Sequence, residues 1–170
     1  MASKQITVIG FLGTQLDGGL GASRWEKWRP TLSLTQHPDL LVNNFELIYA
    51  APYTSLLDCM KGDIANASPQ TSVNAVLMNL VNPWDFGEVY GALYDWAMRY
   101  KFDTDTTDYW VHITTGTHVQ QICLFLLTES RHFPARLVQT SPKERKIKSP
   151  DGSYSLIDLD LSRYDRIAAR

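Results

Sequence analysis

The chain has 170 residues, enough for one domain with a sizeable core and too few for two comfortable ones. Its 16 Lys and Arg against 18 Asp and Glu give a net charge of −2, which excludes a long basic surface gripping duplex nucleic acid but leaves a small anionic ligand open. Two cysteines, Cys59 and Cys123, without a CxxC pair, no apolar run near the roughly 20 residues that span a bilayer, and no signal-peptide layout over Met1 to Gln5 point to a cytoplasmic setting rather than a disulfide scaffold, a membrane or secretion.

Gln5 to Phe11 is rich in β-branched and apolar residues, ends in Gly10-Phe11-Leu12-Gly13, and reads as a buried first strand. Gly13 to Pro30 is long for a strand–helix connection and is therefore a candidate functional loop. Its Arg24-Trp25-Glu26-Lys27-Trp28-Arg29 run is too aromatic for a disordered linker. Leu32 to Asn44 is ambiguous, with room for a short helix interrupted near Pro38. Phe45 to Ala50 is the second strand, closed by Pro52. Ser55 to Ala65 is a helix with Leu56, Leu57, Met60 and Ile64 on one face. Ser72 to Leu80 is the third strand, its close marked by Asn82-Pro83.

Phe86 to Tyr100 carries the clearest helical spacing, with Asp85 and Glu88 as an N-terminal capping pair. Asp108 to Thr115 is the fourth strand. Thr117 to Arg131 is a helix that is apolar almost all round, which predicts burial on two sides, one of them against a partner subunit. Ala135 to Thr140 is the fifth strand. Lys143 to Lys148 reads as a charged surface loop, Pro150-Asp151-Gly152 as a turn, and Tyr154 to Leu161 as an extra strand. Ser162 with Asp165 caps a helix that stops at Arg170, so the expectation is a fragment cut at a linker. Strands alternating with helices of this length predict an α/β, Rossmann-like, mostly parallel sheet with helices on both faces.

In such a sheet ligands bind outside the carboxyl ends of the strands, where the strand order reverses. An order of 3-2-1-4-5 puts that point between the first and fourth strands. One flanking segment is Gly13-Thr14-Gln15-Leu16-Asp17-Gly18-Gly19-Leu20-Gly21, followed by Arg24. The other is Thr114-Thr115-Gly116-Thr117-His118, followed by Gln120 and Gln121. The second lies at a predicted helix N-terminus, whose free N–H groups suit a phosphate. Taken singly, each feature has a plainer reading: the glycines as turns, Thr115 or Thr117 as a cap, Arg24, Lys27 and Arg29 as a solvated face, Trp25 and Trp28 as core. The histidines show no metal-site spacing, so no metal is expected.

The first loop lacks the GxGxxG spacing, no acid ends the second strand, and neither a Walker lysine motif nor a G-x-S-x-G elbow occurs, which argues against a nicotinamide cofactor. Aromatic residues interleaved with basic ones at 24–29 better suit a nucleobase plus phosphate.

Val8 to Asp17, Arg24-Trp25, Trp28-Arg29-Pro30, Asn82 to Phe86 and Asp108 to His118 together resemble the N-terminal CARF domain of the RtcR family, sigma-54-dependent activators of an RNA-repair operon. The resemblance covers essentially the whole chain. It implies a dimeric, cytoplasmic, nucleotide-sensing domain over residues 1–161 and the start of a linker helix over 162–170, leading to an AAA+ ATPase and a helix-turn-helix reader that this stretch does not contain. It implies ligand contacts from Gly13, Thr14, Gln15, Asp17, Arg24 and Trp25 on one side, and from Thr114, Thr115, Gly116, Thr117, His118 and Gln121 on the other. Many relatives that bind cyclic oligoadenylate carry Lys or Arg where this chain has His118. The implied signal is RNA with a 2′,3′-cyclic phosphate end, which relieves restraint of the ATPase; no cofactor, membrane or duplex DNA is implied. Two alternatives stand beside it: cyclic oligoadenylate binding with metal-independent ring-nuclease action, in which His118 is the acid or base, and a role that is mainly oligomerisation.

Overall fold

The computed structural model describes residues 3–142 and 152–157. The Lys143–Lys148 run, most of the turn at 150–152, positions 158–161 and the helix expected from Ser162 lie outside them. Six strands form one sheet: β1 (Gln5–Phe11), β2 (Asn44–Tyr49), β3 (Ser72–Leu77), β4 (Thr107–His112), β5 (Ala135–Ser141) and β6 (Ser153–Ile157). Their order is β3-β2-β1-β4-β5-β6. The first five are parallel and β6 closes one edge antiparallel to β5.

The period-2 alternation of strands sends neighbouring side chains to opposite faces. Val8, Phe45, Leu47, Trp110 and Val138 build one core layer with Leu56, Leu57, Met60 and Ile64 of α2 (Thr54–Ala67). Ile9, Phe11, Ile48, Val111 and Leu137 build the other with α3 (Phe86–Arg99) and α4 (His118–Glu129). The second layer takes Val89, Leu93 and Ala97 from α3 at a spacing of four, one stripe of a helix. The ambiguous 32–44 stretch resolves into the end of a single helical turn, α1 (Pro30–Ser33), started by Pro30 at its first position, and a looped approach to β2.

Two predicted strands are too long at their C-termini. The third was expected to reach Leu80 and the fourth Thr115; they stop at Leu77 and His112. β2 ends at Tyr49, so β3 has no partner beyond Met78, whose N–H donates to the Tyr49 carbonyl. After β4 the Thr114 hydroxyl accepts from the Thr140 N–H and takes the place of a ladder bond. The chain thereby leaves the sheet early, and the freed residues border the crevice.

Candidate functional site

A cavity of about 490 Å³ opens at the carboxyl ends of the strands, over the point where the order turns from β1 to β4. Of the predicted site residues it brings together Gly13, Thr14 and Gln15 from the β1 loop with Thr114 to His118 and Gln121 from the β4 segment. Asp17, Arg24 and Trp25 are absent from its lining.

The β1 loop is held from behind. Asp17 is fully buried, and its carboxylate accepts from the Gly13 N–H at 2.7 Å and from the Thr31 N–H at 2.9 Å. Burial pushes the Asp17 carboxyl above the usual carboxylate range, against the pull of these bonds and of the Arg29 charge. A side chain at Gly13 would press on both Asp17 and Thr115, so glycine there lets the two arms of the site approach.

Arg24 is engaged within the chain. Its Nε and Nη2 donate to both oxygens of Asp63, at 2.8 and 3.0 Å, and its Nη1 donates to the carbonyls of Leu20 and Gly21. Arg29, fully buried, donates from Nη1 to the same carboxylate at 2.6 Å. Trp25 packs beneath both guanidinium groups, 5.6 and 5.2 Å from its ring centre. Burial disfavours the charged form of Asp63, but the two arginines outweigh it and hold the carboxyl below its usual range. Arg24, Trp25 and Arg29 therefore clamp the loop to α2 and lie outside the cavity lining.

The β4 segment ends in a capping box. The Thr117 hydroxyl accepts from the Gln120 N–H, and the Gln120 side-chain oxygen accepts from the Thr117 N–H at 2.8 Å. The hydroxyl also donates to the Pro83 carbonyl. Among the described residues nothing accepts from the His118 or Val119 N–H, so these remain as donors at the positive end of the α4 dipole. Gly116 has φ +96°, and a Cβ there would come within 2.7 Å of the Gln120 oxygen. Thr115 is buried and ties β4 to β1 through a 2.6 Å bond to the Phe11 carbonyl. Thr14, Gln15 and His118 line the cavity with polar side chains that have no side-chain hydrogen bond among the described residues, while the Gln121 amide donates to the Thr114 and Gly116 carbonyls.

Sequence reasoning named the two arms and missed the third wall. Tyr49 at the end of β2, Tyr53 after it, and Met78, Leu80 and Trp84 after β3 complete the cavity. The signal for them was the rule already in use, because all parallel strands end on the same side of a sheet. No described lining residue is Lys, Arg, Asp or Glu, and His118 is the only basic side chain. Among the described residues no group of His, Cys, Asp and Glu could hold a metal, and no helix is long and apolar enough to cross a membrane.

A family model described as RtcR, regulator of RNA terminal phosphate cyclase, matches residues 4–170. The transcriptional regulatory protein RtcR of Escherichia coli strain K12 is 51% identical over 98% of this chain, and the chain spans 32% of that relative's length. Enterococcus italicus Csm6 bound to cyclic hexa-2′-fluoro-hexa-dAMP shares the fold at TM-score 0.68 and 14% identity, covering 97% of this chain and 45% of that one. Can2 from Sulfobacillus thermosulfidooxidans in complex with cyclic tetra-adenylate shares it at TM-score 0.53 and 11% identity, covering 89% and 36%.

Proposed function

The chain belongs to the RtcR family, the regulators of RNA terminal phosphate cyclase, and from that premise we propose that it is the signal-sensing domain of a transcriptional activator and that its ligand is an RNA end closed as a 2′,3′-cyclic phosphate. The observation that carries the ligand is the charge of the cavity. A cyclic phosphate is a diester with a single negative charge. An opened terminal phosphate carries about −1.5 to −2 near neutrality. A lining with one imidazole, hydroxyls, amides and a helix N-terminus, and no Lys or Arg among its described residues, offers enough for the first and leaves the second undercompensated. The volume is that of a small-ligand site and suits the end of a chain.

Ligand binding then acts on the rest of the protein. Thr114 borders the cavity and also bonds Thr140 near the end of β5, and β5 pairs with β6. The path leads toward the C-terminal side, where the family's AAA+ ATPase would receive the signal and be released from restraint. The module works as a homodimer, with the exposed apolar side of α4 as the contact.

Cyclic oligoadenylate is the second reading, favoured by the ligands named for the two structural relatives. Ring cleavage finds little support: no described carboxylate lines the cavity to orient His118. Calorimetry separates the readings. Four ligands are titrated: a short RNA ending in 2′,3′-cyclic phosphate, the same RNA with a 3′-monophosphate, the same RNA with hydroxyls, and cyclic tetra-adenylate. The cyclic end is expected to bind tightest. Equal affinity for the three RNA ends sinks end recognition, and preference for the ring installs the second reading.

A further inference from the structure

The third wall of the cavity has a property that phosphate binding does not use. Trp84 is 57% exposed, and Tyr53 across the lining is 42% exposed. Large aromatic side chains left in water usually sit on loosely held segments; the segment carrying Trp84 is tied at every turn. Both carboxylate oxygens of Glu88 accept from it, one from the Val81 N–H at 2.7 Å and the other from the Asn82 N–H at 2.8 Å. The Asn82 side chain accepts from the Trp84 N–H, and the Asn82 carbonyl from the Asp85 N–H. The Thr117 hydroxyl donates to the Pro83 carbonyl, which fixes this segment to the cap of α4. The indole therefore stands on a rigid rim, edge-on to His118 with 6.1 Å between ring centres.

We propose that Trp84 is a stacking platform for a nucleobase of the RNA whose terminal phosphate lies at the α4 N-terminus. The inference rests on the RNA-end reading above and adds a base subsite to it. An exposed ring carried on a backbone already tied down before the ligand arrives needs no reordering of its segment on binding, which is what a stacking platform requires. Its apolar neighbours in the lining, Met78, Leu80 and Pro83, exclude water from the base without offering side-chain hydrogen bonds. Recognition on this wall is by the face of the base, which every base has, and is therefore tolerant of sequence. The division of labour follows from the geometry: the Thr/Gly arm takes the phosphate, and the aromatic wall takes the base beside it.

The test pairs Trp84→Ala and Trp84→Phe with RNAs that end in 2′,3′-cyclic phosphate or in hydroxyls, and with a cyclic-phosphate RNA whose last two nucleotides are abasic. Trp84→Ala is expected to weaken the base-bearing cyclic-phosphate RNA by about 5- to 150-fold, with Trp84→Phe recovering most of the loss. For the abasic RNA, wild type and Trp84→Ala are expected to bind alike. An unchanged affinity in Trp84→Ala, or an equal loss with the abasic RNA, overturns the stacking platform. Equal wild-type affinity for hydroxyl and cyclic ends, with the Trp84-dependent loss retained on both, keeps the platform and overturns the end-specific reading. Far-UV circular dichroism of the variants guards against a folding defect, and the abasic RNA supplies the same check within the binding data.

Discussion

His112 is fully buried on β4, with Nε2 2.8 Å from the Thr140 hydroxyl and no partner for Nδ1 among the described residues. Burial without a counter-charge lowers its pKa from 6.5 to about 3. The folded chain thus holds the imidazole neutral, while the unfolded chain protonates it as the pH falls through 6.5. This stability is full above that value and is lost progressively between 6.5 and about 3, at up to about 1.4 kcal/mol per pH unit. Asp17 works in the opposite sense, because a raised carboxyl pKa favours the fold as pH falls. Denaturant unfolding of wild type and His112→Gln from about pH 7 to about pH 4.5 isolates the histidine, and the variant is expected to show the shallower decline. Parallel declines would assign the pH dependence elsewhere. His112 reads as structural from sequence because it has no metal-ligand spacing. Its burial against Thr140 and beside Gly10 was not legible, because an alternating strand pattern does not say which polar residue points inward.

The elements were easier to read than the loop between them. β1 emerged from its apolar run with both ends correct, and α3 and α4 from helical spacing and caps. The Gly13–Pro30 loop is ordered as expected; its first residues, Gly13 to Gln15, line the cavity, while Arg24 and Trp25 lie outside that lining. Arg24, Trp25 and Arg29 have the composition of an anion site, and the carboxylate that claims both arginines lies 39 and 34 positions away on α2. No local pattern predicts such a pairing. A consequence follows for stability: Asp63→Ala leaves Arg29 charged, buried and uncompensated, which costs about 3–5 kcal/mol. Asp63→Asn restores one acceptor and should recover part of this in the same urea titration. A loss under about 1 kcal/mol would mean that the clamp is dispensable and the loop is held by Asp17 alone.

At the scale of the whole molecule, the fold is shared with solved structures at 14% and 11% identity, and a fold shared at that distance does not by itself assign a function. One surface is left over after the two core layers are built. On α4, Gln120, Cys123, Leu124, Leu127 and Thr128 face inward, while Ile122 (50% exposed), Phe125 and Leu126 face out. The near-uniform apolarity seen in the sequence thus has two causes: an inner face buried by this chain and an outer face left uncovered among the described residues. A self-associating module buries such a face between two copies, and contact along α4 would bring the two crevices near each other at its N-terminus. Replacing Ile122 with Asp puts a charge in that contact without entering either core layer. Light scattering should then show a dimer for wild type and a monomer for the variant, with unfolding free energy of the isolated fold changed by less than about 0.5 kcal/mol. A wild-type monomer, with and without RNA, would leave the outer face of α4 to a partner other than a second copy. The crevice would then have to bind its ligand with the residues of one chain, and the Trp84 variants would read the whole of the base contact.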